Sequence, residues 1–135
     1  MTAPSPAAAS GLVALGGAVG AVARYQAGRG LTMLLGPAAV TAFPWATLAV
    51  NIVGSLAMGL LAGWLARHGG GGETARLLLG VGVLGGFTTF SAFSLELMLL
   101  IERGQAASAL AYGVISVFAG LTALYVGLIV MRLAA

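Results

Sequence analysis

Four stretches of this 135-residue chain carry no charged side chain: Thr2 to Ala23, Gly30 to Ala66, Leu77 to Leu95, and Gly104 to Met131. A helix needs about 20 residues to cross the roughly 30 Å hydrocarbon layer of a bilayer. In lipid the backbone must satisfy its own hydrogen bonds, which a helix does within one segment. The chain therefore reads as an all-α membrane protein with four transmembrane helices, at about 12–34, 45–66, 76–101 and 107–131. Composition agrees: 60% of residues are hydrophobic and 7% charged, against about 25% charged in soluble domains. A soluble protein this small would expose much of that apolar surface to water. A soluble enzyme and a disordered chain are both excluded. The net charge of +3 rests on dispersed arginines, which points away from nucleic acid. With no cysteine, disulfides, thiolate metal sites and cysteine nucleophiles are absent.

The joints carry the punctuation that spans require. Arg24, Gln26 and Arg29 interrupt the end of the first span, which places that end at the interface, and the third span includes or ends at Glu96. Gly36 to Trp45 holds two prolines and a tryptophan where the second span enters from the interface. His68 and the glycines 69–72 close that span, and Glu102-Arg103-Gly104-Gln105 is a tight turn. Residues 1–10 are expected to be disordered or interfacial, before a single four-helix domain over 11–135. Their lack of a basic n-region argues against a cleaved signal peptide. Four spans put Arg67, Arg76 and Arg132 on one side and Arg24, Arg29 and Arg103 on the other. Three against three gives no orientation bias. Either some arginines sit too deep to count, or the chain inserts both ways round.

Small and polar residues mark the span interiors. Gly16, Gly17 and Gly20, the pair Gly59 and Gly63, and the pair Gly82 and Gly86 suit close helix packing in lipid. In the third span, Gly85-Gly86-Phe87-Thr88-Thr89 falls near the midplane, where helix propensity drops. Two readings stand: a packed but unbroken glycine-rich helix, or a broken one whose freed backbone groups serve an ion. Phe90 and Phe93 share a face, as do Ser91 and Ser94. Those rings either pack against their surroundings or turn their positive edges to an anion. Asn51 either glues helices together or donates its amide to an anion. Tyr112, Ser116 and Gly120 form a stripe on the fourth span, although membrane hydroxyls by default bond their own helix. Arg24 and Glu96 snorkel, pair, or sit at a pore mouth. No phosphate-binding loop, zinc-protease motif or serine-hydrolase elbow occurs, and His68 is the sole histidine. Enzymatic activity is not expected.

Three blocks in order carry a resemblance over nearly the whole chain after the first ten residues. They are Gly16-Gly17-Ala18-Val19-Gly20-Ala21-Val22-Ala23-Arg24-Tyr25, then Pro44-Trp45-Ala46-Thr47-Leu48-Ala49-Val50-Asn51-Ile52-Val53-Gly54, and finally Gly82 to Glu96. With the four-span layout, they resemble the CrcB/Fluc family of fluoride channels. The resemblance implies an antiparallel, dual-topology homodimer in the bacterial cytoplasmic membrane, each chain with a broken third helix. It implies two fluoride pores and a central structural sodium ion held by the backbone carbonyls of Gly85 and Thr88 from both subunits. Fluoride would pass Asn51, Phe90, Phe93, Ser91, Tyr112 and Ser116, while Arg24 and Glu96 would be structural or vestibular. Function follows as fluoride export down its electrochemical gradient, with fluoride, a second copy and membrane lipid as partners.

Two departures stand out. Ala92 takes a place that the family pattern gives to threonine, and Gly120 one where some relatives keep serine. Water or Ser91 is the expected substitute donor. Two other functions fit the composition: a small cation- or proton-coupled multidrug exporter using Glu96 as its carboxylate, and a non-conducting structural membrane subunit.

Overall fold

A computed structural model describes residues 4–68 and 72–134. Helix α1 (Pro6–Leu35) leads through short α2 (Pro37–Ala42) into α3 (Trp45–His68). The third span is composite: α4 (Glu73–Ala75), a π-helical segment (Arg76–Leu84), α5 (Gly85–Phe87) and α6 (Phe90–Glu102). Helix α7 (Ala106–Leu133) completes the chain, and no strand occurs among the described residues. Four stretches are long and apolar enough to cross a membrane: Pro6–Leu35, Trp45–Arg67, Glu73–Glu102 and Ala106–Leu133. The expected side chain of His68 and the turn at 69–71 lie outside the described residues.

Helix α1 opens at Pro6, so residues 6–10, expected to be disordered or interfacial, form its first turns. The local reason is a cap: Ser5 accepts a bond from the Ala8 amide at 3.3 Å, and proline occupies the first helical position. Nor do Arg24, Gln26 and Arg29 interrupt it. Thirty residues make a helix of about 45 Å, longer than the roughly 30 Å hydrocarbon layer. The turn after α6 is a Schellman motif: the Gly104 and Gln105 amides bond to Ile101 and Leu100 carbonyls, both at 2.9 Å, with Gly104 at φ 72°.

Close approach of backbones explains the glycine pairs. A Cβ on Gly16 would strike the Leu78 carbonyl, and one on Gly20 the Val83 carbonyl. Gly86 would meet the Gly17 carbonyl at 2.6 Å. Helix α1 therefore lies on the third span, while Gly59, Gly63 and Gly127 bring α3 and α7 together in the same way. Without a hydrophobic drive between helices in lipid, such contact is what holds them. The small residues thus act within one subunit.

The π-helical segment was not expected from the sequence. Its wide turn shows in the Gly85 amide, which reaches back to the Gly80 and Gly82 carbonyls. Gly80 and Gly82 are buried, and π turns are frequent at functional sites. Consecutive spans run in opposite directions, so α3 and α7 run parallel. At one end Arg67 donates to the Arg132 carbonyl at 3.2 Å, and at the other Arg103 donates to the Thr41 carbonyl at 3.2 Å.

Candidate functional site

The site is built around two residues that leave the helical conformation. Thr88 (φ −81°, ψ 157°) and Thr89 (φ −150°, ψ 119°) are extended between α5 and α6. Asn51, projecting from α3, replaces the lost helical bonds. Its Oδ1 accepts the Thr89 amide at 2.9 Å and its Nδ2 donates to the Thr89 carbonyl at 3.1 Å. Thr89 is also the N-cap of α6, its Oγ1 accepting the Ala92 amide at 3.2 Å. These two bonds have a consequence for the carbonyls behind them. The Thr89 amide would otherwise serve the Gly85 carbonyl, and the Ala92 amide that of Thr88. Both carbonyls have lost their ordinary helical donors.

Beside this discontinuity lies a cavity of about 320 Å³, lined by Asn51, Ser55, Thr88, Thr89, Phe90, Phe93 and Ser116, among others. Its polar groups are few and placed. The Asn51 amide is held at both ends by Thr89, which fixes its orientation and leaves one N–H uncommitted. Ser116 Oγ is, among the described residues, the buried side-chain polar atom that lacks a hydrogen-bond partner in the protein. Phe90 and Phe93 have ring centroids 5.7 Å apart, tilted by 41°, and Phe90 is 78% exposed. Weak donors therefore face a partly apolar space.

Tyr112 and Glu96 sit next to this cavity rather than on it. Tyr112 is fully buried and donates its hydroxyl to Glu96 Oε2 at 2.7 Å, while Thr47 donates to Oε1 at 2.7 Å. Two hydroxyls thus satisfy a carboxylate that would be costly to leave bare at this depth. The Tyr112 ring also packs against Phe93 at 5.1 Å and Phe43 at 5.5 Å, so it fixes the position of a cavity-lining phenylalanine. Glu96 lines a separate pocket with Arg103 and Thr41. Arg24 and Arg29 line another, shared with Thr47, Val50 and Thr89. Arg29 lies 5.9 Å from the Tyr25 ring centroid, a cation–π contact.

Of the residues expected along the path, the cavity gathers Asn51, Phe90, Phe93 and Ser116. Ser91 stands apart, its Oγ 3.3 Å from Thr89 Oγ1. Ser94 bonds its own helix at the Phe90 carbonyl. Two contributors were overlooked in the sequence, Thr47 and Ser55. Their signal was available: Thr47, Asn51 and Ser55 recur every four residues, the spacing that singled out Tyr112, Ser116 and Gly120.

Comparison with known proteins gives a consistent result. Residues 11–128 match the family model described as CrcB-like protein, Camphor Resistance (CrcB). The chain is 61% identical over 124 residues to a protein of Novosphingobium aromaticivorans named fluoride-specific ion channel FluC, covering 92% of this chain and 96% of that one. Proteins of the same name from Sphingopyxis alaskensis and Caulobacter vibrioides are 58% and 51% identical. Those matches cover 89% of this chain and 92% of the first relative, and 90% and 93% for the second.

Proposed function

The chain belongs to the CrcB-like family, and on that premise we propose that it is a fluoride-specific ion channel, not an enzyme. It lets fluoride leave the cell across the bacterial cytoplasmic membrane, down its electrochemical gradient. The observation that carries this assignment within the structure is the buried, unpartnered Ser116 Oγ facing a cavity with an oriented asparagine and a phenylalanine pair. Fluoride holds its hydration water tightly, so a path must return hydrogen bonds in small successive steps. The free Asn51 N–H, the Ser116 hydroxyl and the positive edges of Phe90 and Phe93 offer such steps. None is strong enough alone to trap the ion.

An antiparallel homodimer with dual topology goes with this function. Its support is the even arginine split and the highly exposed Phe90, an aromatic ring beside the cavity that a second subunit would cover. Gly85 is also exposed, although it lies between buried Gly82 and Thr89. The released carbonyls of Gly85 and Thr88 are hard oxygen donors without ordinary helical partners, a donor set suited to a sodium ion shared by two subunits. Such an ion, when bound, supplies fixed positive charge in a region of low dielectric. Asn51 and Thr89 keep those carbonyls free. Tyr112 and Thr47 hold Glu96, and Glu96 in turn sets the Tyr112 ring against Phe93. In this reading Arg24, which lines a pocket with Arg29 and Thr47, has a structural or vestibular role, and the exposed apolar side chains of α1 and α7 face lipid.

Purified protein in liposomes tests the assignment. An imposed gradient should drive electrogenic fluoride efflux with strong discrimination against chloride. Well-folded protein that carries no fluoride current would refute it.

A further inference from the structure

Two ladders of polar residues run side by side through the subunit. Thr47, Asn51 and Ser55 climb α3 at intervals of four, and Tyr112, Ser116 and Gly120 climb α7 at the same interval. The helices run parallel, so the rungs correspond. At the first rung Thr47 and Tyr112 are joined through Glu96. At the second, Asn51 and Ser116 face one cavity. At the third, a Cβ placed on Gly120 would lie 3.5 Å from Ser55 Oγ. That rung has a hydroxyl on α3 and bare backbone on α7.

We propose that Ser55 is a fluoride-binding hydroxyl, the donor that follows Asn51 and Ser116, and that Gly120 keeps it open to the cavity. This rests on the fluoride-channel function above. Ser55 lines the same cavity as the unpartnered Ser116 Oγ, and among the described residues its own hydroxyl has no hydrogen-bond partner. Ser55 lies one helical turn, about 6 Å, beyond Asn51, a spacing across which a small anion can be handed on. Ser91, the expected substitute donor, is placed against Thr89 instead. A side chain at 120 would occupy the space that Ser55 Oγ now faces. The missing hydroxyl of α7 is therefore supplied from across the groove.

A hydroxyl swap tests this. Ser55→Ala should lower fluoride flux in liposomes by about tenfold, the effect of one charge-assisted hydrogen bond. Adding Gly120→Ser to Ser55→Ala returns a hydroxyl to the same space from the opposite helix, and should restore most of the flux. Gly120→Ala alone should reduce flux while leaving unfolding unchanged, because 3.5 Å is an ordinary contact. Elution volume and thermal unfolding check each variant. If the wild type conducts fluoride and folded Ser55→Ala conducts equally well, Ser55 has no such role and the channel function stands. Flux lost in Ser55→Ala and not recovered in the folded double variant also overturns the proposal, because the serine then acts through packing. A wild type that passes no fluoride refutes the channel function itself.

Discussion

Asn51 performs two tasks, and substituting it should separate them. In Asn51→Ala the Thr89 amide loses its acceptor at 2.9 Å and the Thr89 carbonyl its donor at 3.1 Å. Thr89 is only 8% exposed, so bulk water does not replace either partner freely. A buried backbone group left unpaired costs about 1–3 kcal/mol, giving about 2–6 kcal/mol for two if nothing relaxes. The neighbouring cavity of about 320 Å³ has room for water to take over one or both bonds. That argues for the lower end, about 2 kcal/mol, and a thermal midpoint lower by several degrees. Asn51→Asp separates the tasks. It keeps an acceptor for the Thr89 amide but sets an oxygen against the Thr89 carbonyl and a negative charge on the anion path. Fluoride flux should then fall more than a hundredfold, on the order of 3 kcal/mol in the barrier. Flux would be followed with a fluoride electrode and stability by Trp45 and Trp64 fluorescence. Unchanged stability in Asn51→Ala would refute the account of how the extended residues are held.

Three further outcomes follow from the packing and from the proposed assembly. Gly20→Ala drives a methyl into the Val83 carbonyl and should destabilise by about 1–3 kcal/mol; Gly11→Ala, with open space around it, should be neutral or stabilising in the same melting assay. Exhaustive replacement of sodium by a bulky organic cation should abolish fluoride flux without unfolding the helices, and readdition should restore it; flux indifferent to sodium would rule out the ion. Because the chain has no cysteine, single cysteines at Gln105 and Thr74 can be labelled in intact cells, and each should react from both sides of the membrane. Exclusive one-sided labelling would rule out dual topology.

How much of this was legible in the sequence depends on the kind of signal. The four spans were legible because charge is so costly in lipid that its absence alone outlines them. The position of the extended residues was legible because Gly85-Gly86 and Thr88-Thr89 both disfavour helix, and β-branched Thr89 is a good cap. Asn51 was singled out as a buried amide, but its twofold use by the Thr89 backbone depends on two spans meeting, 38 positions apart. The π-helical segment left no trace, since Leu77-Leu78-Leu79 and the glycines around it fit either helical period. Ser55 was overlooked because a lone serine bonded to its own helix is the usual case; only the parallel course of α3 and α7 sets it against Gly120.

Hydrogen-bond accounting in the spans then separates structural polar groups from those available to an ion. Ser10, Thr32, Thr88 and Ser94 each return a hydroxyl to a carbonyl four residues back, at 2.8–2.9 Å. Thr47, Tyr112 and Glu96 satisfy one another, and Asn51 and Thr89 hold the extended residues. These bonds are already made, so an ion gains little from displacing them; of these groups only Asn51 keeps a spare donor, its second N–H. Ser116 Oγ has no partner in the protein and opens on the cavity beside Asn51. An atom left without a protein partner beside an aromatic pair is available to whatever enters the cavity. A small, strongly hydrogen-bonding anion fits that role, whereas a large organic cation would need the carboxylate that Thr47 and Tyr112 already occupy.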